Sequence, residues 1–125
     1  MSSDVREAAG EVSFWILVSL SDTPKHGYGV LRDVELLSAS GGGRTVSLKV
    51  PTLYAALERL ERADLIEVDR EEVVEGRARR YYCLTSAGAV ALADETSQLE
   101  VRARAAREAL ARAADHRRTP DMASR

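Results

Sequence analysis

The sequence is poor in the residues that most often carry chemistry. Of its 125 residues one is a cysteine, Cys83, and two are histidines, His26 and His116. A single thiol excludes a disulfide framework within the chain and a zinc site built on cysteines, and it fits a reducing, cytoplasmic setting. Neither histidine has cysteine or carboxylate neighbours at metal-ligand spacing, so each reads as a capping or solvated residue. Cys83 lies in an alternating stretch and reads as a structural thiol rather than a reactive one. The longest apolar run, Phe14 to Val18 and then Leu20, is far too short to span a bilayer, and nothing before it resembles a signal peptide. Gly27-Tyr28-Gly29 supplies two glycines of a dinucleotide fingerprint, but no strand precedes it and Arg32 stands where a third glycine belongs. These absences leave no convergent set of groups for catalysis. No enzymatic activity, cofactor, metal or membrane partner is expected.

What is present is an ordinary globular composition with patchy charge. Hydrophobic residues make up 45% and charged residues 30%, and the formal net charge is -2. That sign argues mildly against a polyanionic partner, but the distribution of charge decides the field at a surface. Arg77, Arg79 and Arg80 fall within four residues, whereas Asp64 to Glu75 is acidic. From Arg102 onward seven arginines face three acids.

Apolar periodicity divides the chain into elements. Val5, Ala8, Val12, Ile16 and Leu20 recur at helical steps, with Ser3 or Asp4 as cap, and the Ser21-Asp22-Thr23-Pro24 cluster ends the helix. A second helix is predicted from Gly27 to Ser38 with Val30, Leu31, Val34 and Leu37 inward, followed by a glycine break and a short strand over Thr45–Leu48. Pro51 suits the first turn of a third helix, in which Leu53, Ala56, Leu57 and Leu60 share one face. After Leu65 the period changes to two, predicting a strand, a turn near Glu75-Gly76, and a returning strand from Arg79 to Leu84. Thr85 or Ser86 caps a final helix from Ala87 to His116. Leu92, Leu99, Ala106 and Leu110 belong to a seam on that helix which needs a partner surface.

Helix, helix, helix, hairpin, helix is the pattern of a winged helix-turn-helix. The predicted fold is mostly α with a small β-hairpin wing and a C-terminal dimerisation helix. Its expected divisions are residues 1–86 for the winged domain, 87–118 for the dimerisation helix and 119–125 for a disordered tail. In such a domain the third helix keeps its apolar face on the core and turns the other toward the DNA major groove. Thr52, Tyr54 and Ala55 then lie in the turns closest to the bases, where Ala55 suits a thymine methyl and Glu58 a cytosine amine. Lys49 and Arg59 suit phosphates, which position the helix without reading sequence. Tyr54 has a second reading, as an extension of the core. Arg77, Arg79 and Arg80 beside a hairpin glycine suit a clamp on backbone or minor groove, against the plain alternative of a solvated face.

The stretches "HGYGVLRDVE", "TLYAALERLERADLIE" and "GRARRYYCLTSAG" resemble, in order, three signatures of PadR-type winged-helix transcriptional regulators. The resemblance covers about Phe14 to Leu92. It implies a homodimeric regulator, usually a repressor, on a double-stranded DNA operator, with the last helix crossing to the partner subunit. It also implies Thr52, Tyr54 and the wing arginines at the DNA. Some members answer to small molecules, for which Phe14 and Trp15 are the candidate lining; core and dimer packing is the competing role of that pair. This chain departs from the pattern at three places. Lys49 replaces a small capping hydroxyl residue, Pro51 a glycine, and Ala63-Asp64 an acid-glycine pair. A weaker cap and an altered turn are expected. The other reading of the whole chain is a protein-interaction module that keeps this fold and has lost DNA binding.

Overall fold

A computed structural model describes residues 10–41 and 45–118. The predicted cap at Ser3 or Asp4, the apolar positions Val5 and Ala8, and the tail 119–125 lie outside the described residues. The described residues form two units, divided between Ala93 and Asp94.

In the first unit, helix α1 (Glu11–Ser19) is apolar on nearly every side. Ile16, Leu17 and Leu20 are buried, while Phe14, Trp15 and Val18 are half-buried. Its last carbonyls are closed from outside the helix. The Lys25 ammonium donates to the Ser19 carbonyl and pairs with Asp22 at 2.8 Å and Asp33 at 3.2 Å. Strand β1 (Lys25–His26) follows, then helix α2 (Gly27–Ser40), which buries Val30 and Val34. Leu31 and Leu37, also predicted inward, are half-buried.

Helix α3 (Val50–Arg62) buries the predicted stripe of Leu53, Ala56, Leu57 and Leu60. Each fully buried large side chain contributes roughly 1.5–3 kcal/mol relative to exposure, so this one helix anchors much of the core. Lys49 stands at its N-cap and provides no side-chain hydrogen bond, as its replacement of a hydroxyl residue leads one to expect. At the other end Asp64 adopts φ 65°. The Leu65 amide donates to the Leu60 carbonyl and the Asp64 amide to the Glu61 carbonyl, both at 3.0 Å. This is the Schellman closure that glycine usually makes. The expected alteration of the turn therefore does not occur; aspartate tolerates the left-handed conformation better than most residues.

Strands β2 (Ile66–Val74) and β3 (Arg77–Leu84) form the hairpin, and the antiparallel sheet runs in the order β1-β3-β2. Glu75 and Gly76 both have positive φ, 52° and 77°, which is the requirement of a two-residue turn whose twist matches its strands. The strand predicted at Thr45–Leu48 is absent. That segment is irregular, and buried Ser38 accepts from the Val46 amide at 2.8 Å. Val46 and Leu48 still pack on the core, which explains the alternating pattern. The third strand of the sheet is instead Lys25–His26, paired with Tyr82 and Tyr81; two residues are too few to show a period.

Helix α4 (Ser86–Arg118) starts in the first unit and continues through the second. Thr85 caps it, its Oγ1 accepting from the Gly88 amide at 2.9 Å and donating to the Asp64 carbonyl at 2.7 Å. Gly88 is obligatory, because a Cβ there would stand 2.0 Å from the Leu65 carbonyl oxygen. In the second unit none of residues 94–118 is buried in the single chain.

Candidate nucleic-acid interface

With its stripe buried, α3 presents Thr52, Tyr54, Ala55, Glu58 and Arg59 to solvent, and Lys49 is exposed just before it. Tyr54 is 48% exposed, which fits a flank position rather than a completed core. Its ring is nevertheless seated. A Cβ added to Gly27 would lie 2.5 Å from the Tyr54 hydroxyl oxygen and 2.8 Å from Cζ. The glycine that opens α2 is what allows the tyrosine to lie across that helix's first turn.

His26 links α2 to the hairpin. Its Nδ1 accepts from the Gly29 amide at 3.2 Å and so caps α2, while its ring meets Tyr81 edge-on at 5.4 Å. Burial and then the Arg79 guanidinium hold the imidazole pKa below its ordinary value. A neutral ring that accepts at Nδ1 carries its proton on Nε2. The 3.3 Å approach of Arg79 Nη1 to Nε2 then sets one donor against another and does not tie up the guanidinium.

These elements enclose a cleft of about 720 Å³ lined by His26, Gly27, Tyr28, Tyr54, Glu71, Arg77, Ala78, Arg79, Arg80 and Tyr82. Tyr54 of the predicted recognition helix and the predicted wing arginines therefore meet in one place, whereas Lys49, Thr52 and Arg59 do not line this cleft. Arg80 pairs with Glu71 across the hairpin at 3.1 Å. Arg77 and Arg79 make no ion pair among the described residues. A second recess of about 440 Å³ continues along α3 past Pro51, Ala55, Glu58 and Glu61.

This arrangement has relatives. The sequence model of the transcriptional regulator PadR-like family matches residues 16–94. The chain belongs to that family. It is 51% identical over 53 residues to a transcriptional regulator of Mycobacterium tuberculosis, a match covering 42% of this chain and 49% of that protein. The chain thus spans about half the length of that relative. The crystal structure of a PadR family regulator from Clostridium difficile superposes with TM-score 0.66 at 25% identity, covering 81% of this chain and 99% of the other. Bacillus subtilis PadR, crystallised in complex with operator DNA, matches with TM-score 0.55 at 23% identity over 66% of this chain and 46% of its own. The PadR-like family is one of transcriptional regulators, not enzymes.

For a PadR-like chain the sequence reading misses Tyr28, Glu71 and Tyr82 at the cleft, and two arginines stacked on aromatic rings near it. Tyr28 is 58% exposed, and Arg32 stands 6.0 Å from its ring centroid. Arg70 lies over the Tyr81 ring at 4.0 Å while pairing with Glu72 at 2.8 Å and Asp69 at 3.0 Å. The signal for Tyr28 is the "HGYG" stretch; contrary to the expectation that no strand precedes it, β1 (Lys25–His26) does, but Arg32 still stands in place of a third glycine. Of the seam residues, Leu92 packs on the core of its own unit, while Leu99, Ala106 and Leu110 are exposed. Phe14 and Trp15 pack edge-to-face at 5.2 Å. Trp15 also rests on the core, with its ring over Gly41. Among the described residues no group of three or more His, Cys, Asp or Glu side chains is placed to hold a metal ion, and no helix is long and apolar enough to cross a membrane.

Proposed function

We propose that this PadR-like chain is a cytoplasmic repressor that binds an inverted-repeat operator in double-stranded DNA as a homodimer. The observation that carries the reading is the convergence of Tyr54 from the exposed α3 face, the start of α2 and three wing arginines on one cleft. In this reading Thr52, Tyr54, Ala55 and Glu58 face base edges, Lys49 and Arg59 take phosphates, and Arg77, Arg79 and Arg80 grip the backbone beside the helix. The operator-bound Bacillus subtilis PadR, a fold relative, supports the DNA partner. Exposed Leu99 and Leu110 on α4 support the homodimer, and its two-fold symmetry calls for half-sites about one helical turn apart or a multiple of it. A small-molecule pocket at Phe14 and Trp15 has less support, because Trp15 is already packed within the chain.

The test is salt-dependent titration with operator fragments selected from genomic DNA. Replacing Arg77, Arg79 and Arg80 together by alanine should weaken binding to any duplex. It should also flatten the salt slope by roughly 0.9 for each phosphate that is no longer neutralised. Tyr54→Phe should lower operator affinity by about 0.5–1.5 kcal/mol with an unchanged melting temperature. Unchanged affinity and slope in the triple variant would instead favour the interaction module that has lost DNA binding, the reading that the acidic strand β2 suggests.

A further inference from the structure

In formal charge the wing is a weak anion, not the cation that a DNA-binding element calls for. Residues 66–84 hold five carboxylates (Glu67, Asp69, Glu71, Glu72, Glu75) against four arginines (Arg70, Arg77, Arg79, Arg80). The register decides which arginines the acids neutralise. Glu71 sits opposite Arg80 and Glu72 opposite Arg79. Glu72 turns along its own strand to Arg70 at 2.8 Å, which leaves Arg79 to the cleft. Glu71 reaches across and holds Arg80 Nε at 3.1 Å. Both partners of that pair line the cleft together with Tyr54 and Tyr82. Tyr82 is a second hydrogen-bond partner of Arg80, and with side chains 57% and 54% exposed the ion pair is open to exchange.

We propose that Glu71 is an internal competitor of DNA phosphate for Arg80, and that it lowers the sequence-independent grip of each wing. The inference rests on the DNA-binding reading above. Phosphate and carboxylate offer the guanidinium the same geometry, so Arg80 exchanges one anion for the other. The exchange involves no bond making beyond the transfer of its N–H donors. An exposed ion pair of this kind is weak, which makes it displaceable by a phosphate held in place by neighbouring contacts. It is still strong enough to compete with an isolated one. The consequence is a protein less readily sequestered by the very large excess of non-operator sites in a genome, where sequence-independent binding is almost wholly electrostatic.

The experiment titrates the 125-residue chain with a random-sequence duplex at several salt concentrations, comparing Glu71→Gln with Glu67→Gln. Both changes remove one negative charge from β2, but Glu67 lies opposite Cys83 and not at Arg80. Glu71→Gln should tighten binding roughly two- to fivefold per wing at low salt, and Glu67→Gln by clearly less. Adding Arg80→Ala to Glu71→Gln should abolish the gain. If the parent binds duplex in a salt-dependent way and the two glutamine variants behave alike, or if the gain survives Arg80→Ala, the competitor role is wrong while DNA binding stands. If neither parent nor Glu71→Gln binds duplex in a salt-dependent way, the DNA-binding reading itself fails and takes this one with it.

Discussion

The two units of the chain are stabilised by different means. Up to Ala93 the chain supplies its own partners. Ile16, Val30, Val34, Ala56 and Leu60 are at 0% exposure, and Gly27 and Gly88 stand where other groups come too close for a Cβ. From Asp94 to Arg118 there is helix without burial, with Leu99 43%, Val101 62% and Leu110 68% exposed in the single chain. In proteins most helical stability comes from packing of one face rather than from propensity. The first unit should therefore carry stability that is indifferent to protein concentration. If the proposed homodimer covers it, the contribution of the second should depend on concentration.

The sharpest way to break that contrast is Leu99→Glu with Leu110→Glu. If both leucines are buried in a dimer, four are removed per assembly, at roughly 1.5–3 kcal/mol each. Sedimentation equilibrium should show a dimer for the parent and a monomer for the double variant. A native-strength dimer in the double variant would remove the reason for treating the second unit as an interface.

Next in size is Gly88→Ala. The new Cβ would meet backbone, 2.0 Å from the Leu65 carbonyl oxygen and 3.0 Å from its carbon, and neither atom can rotate away. A loss of about 3 kcal/mol is expected, at the upper end for overpacked sites, independent of protein concentration in chemical denaturation. Gly27→Ala makes the contrast within the first unit. Its nearest neighbour is the far end of the Tyr54 ring, which can swing aside. It should cost less stability and more duplex affinity than Gly88→Ala.

A smaller effect separates the units by pH. The His26 pKa is held below its ordinary 6.5 by burial and by Arg79. The folded state therefore favours the neutral ring, and the unfolded chain binds more protons between the two pKa values. The stability from His26 is complete above about pH 6.5, falls as pH drops through that value toward the folded pKa, and levels off below it. His26→Asn keeps a capping acceptor and removes the titration. The difference in unfolding free energy between parent and variant should shrink or reverse on acidification below pH 6.5. A constant difference would mean that the His26 cap does not respond to charge.

How much of this could be read from the residues depends on how long each signal is. The α3 stripe is four apolar positions in register, and it predicted the buried set residue for residue. The wing was legible because its period differs from that of the helices. Strand β1 was not, since two residues carry no period, and the alternation of Val46 and Leu48 imitated a strand where a serine holds an irregular loop. At the candidate site the sequence singled out three arginines that line the cleft and could not show that Glu71, five residues before the turn's glycine, reaches Arg80 while Glu72 does not. That outcome depends on the register and on the bulge between Val68 and Arg70. Tyr28 was hidden for a related reason: exposure of a single aromatic is a property of packing, not of spacing.

The smallest expected effect concerns the turn after α3, where this chain has aspartate in a conformation that favours glycine. Asp64 sits at φ 65°, and the two closing hydrogen bonds are made by backbone amides, at Asp64 and Leu65. The carbonyl of Asp64 is engaged by Thr85 Oγ1, again a backbone group. Its side chain is therefore dispensable for every bond that ends the helix or seats the cap of α4. Asp64→Gly removes the left-handed strain and makes the unfolded chain more flexible, and the first effect should exceed the second at a position of positive φ. A gain of about 0.5–1 kcal/mol is expected, read as a rise in the denaturation midpoint at constant slope and unchanged by protein concentration. It should be the same in the Leu99→Glu, Leu110→Glu background, since it acts only within the first unit. A loss of stability in Asp64→Gly would show that the aspartate carboxylate, not the backbone, is what closes this turn.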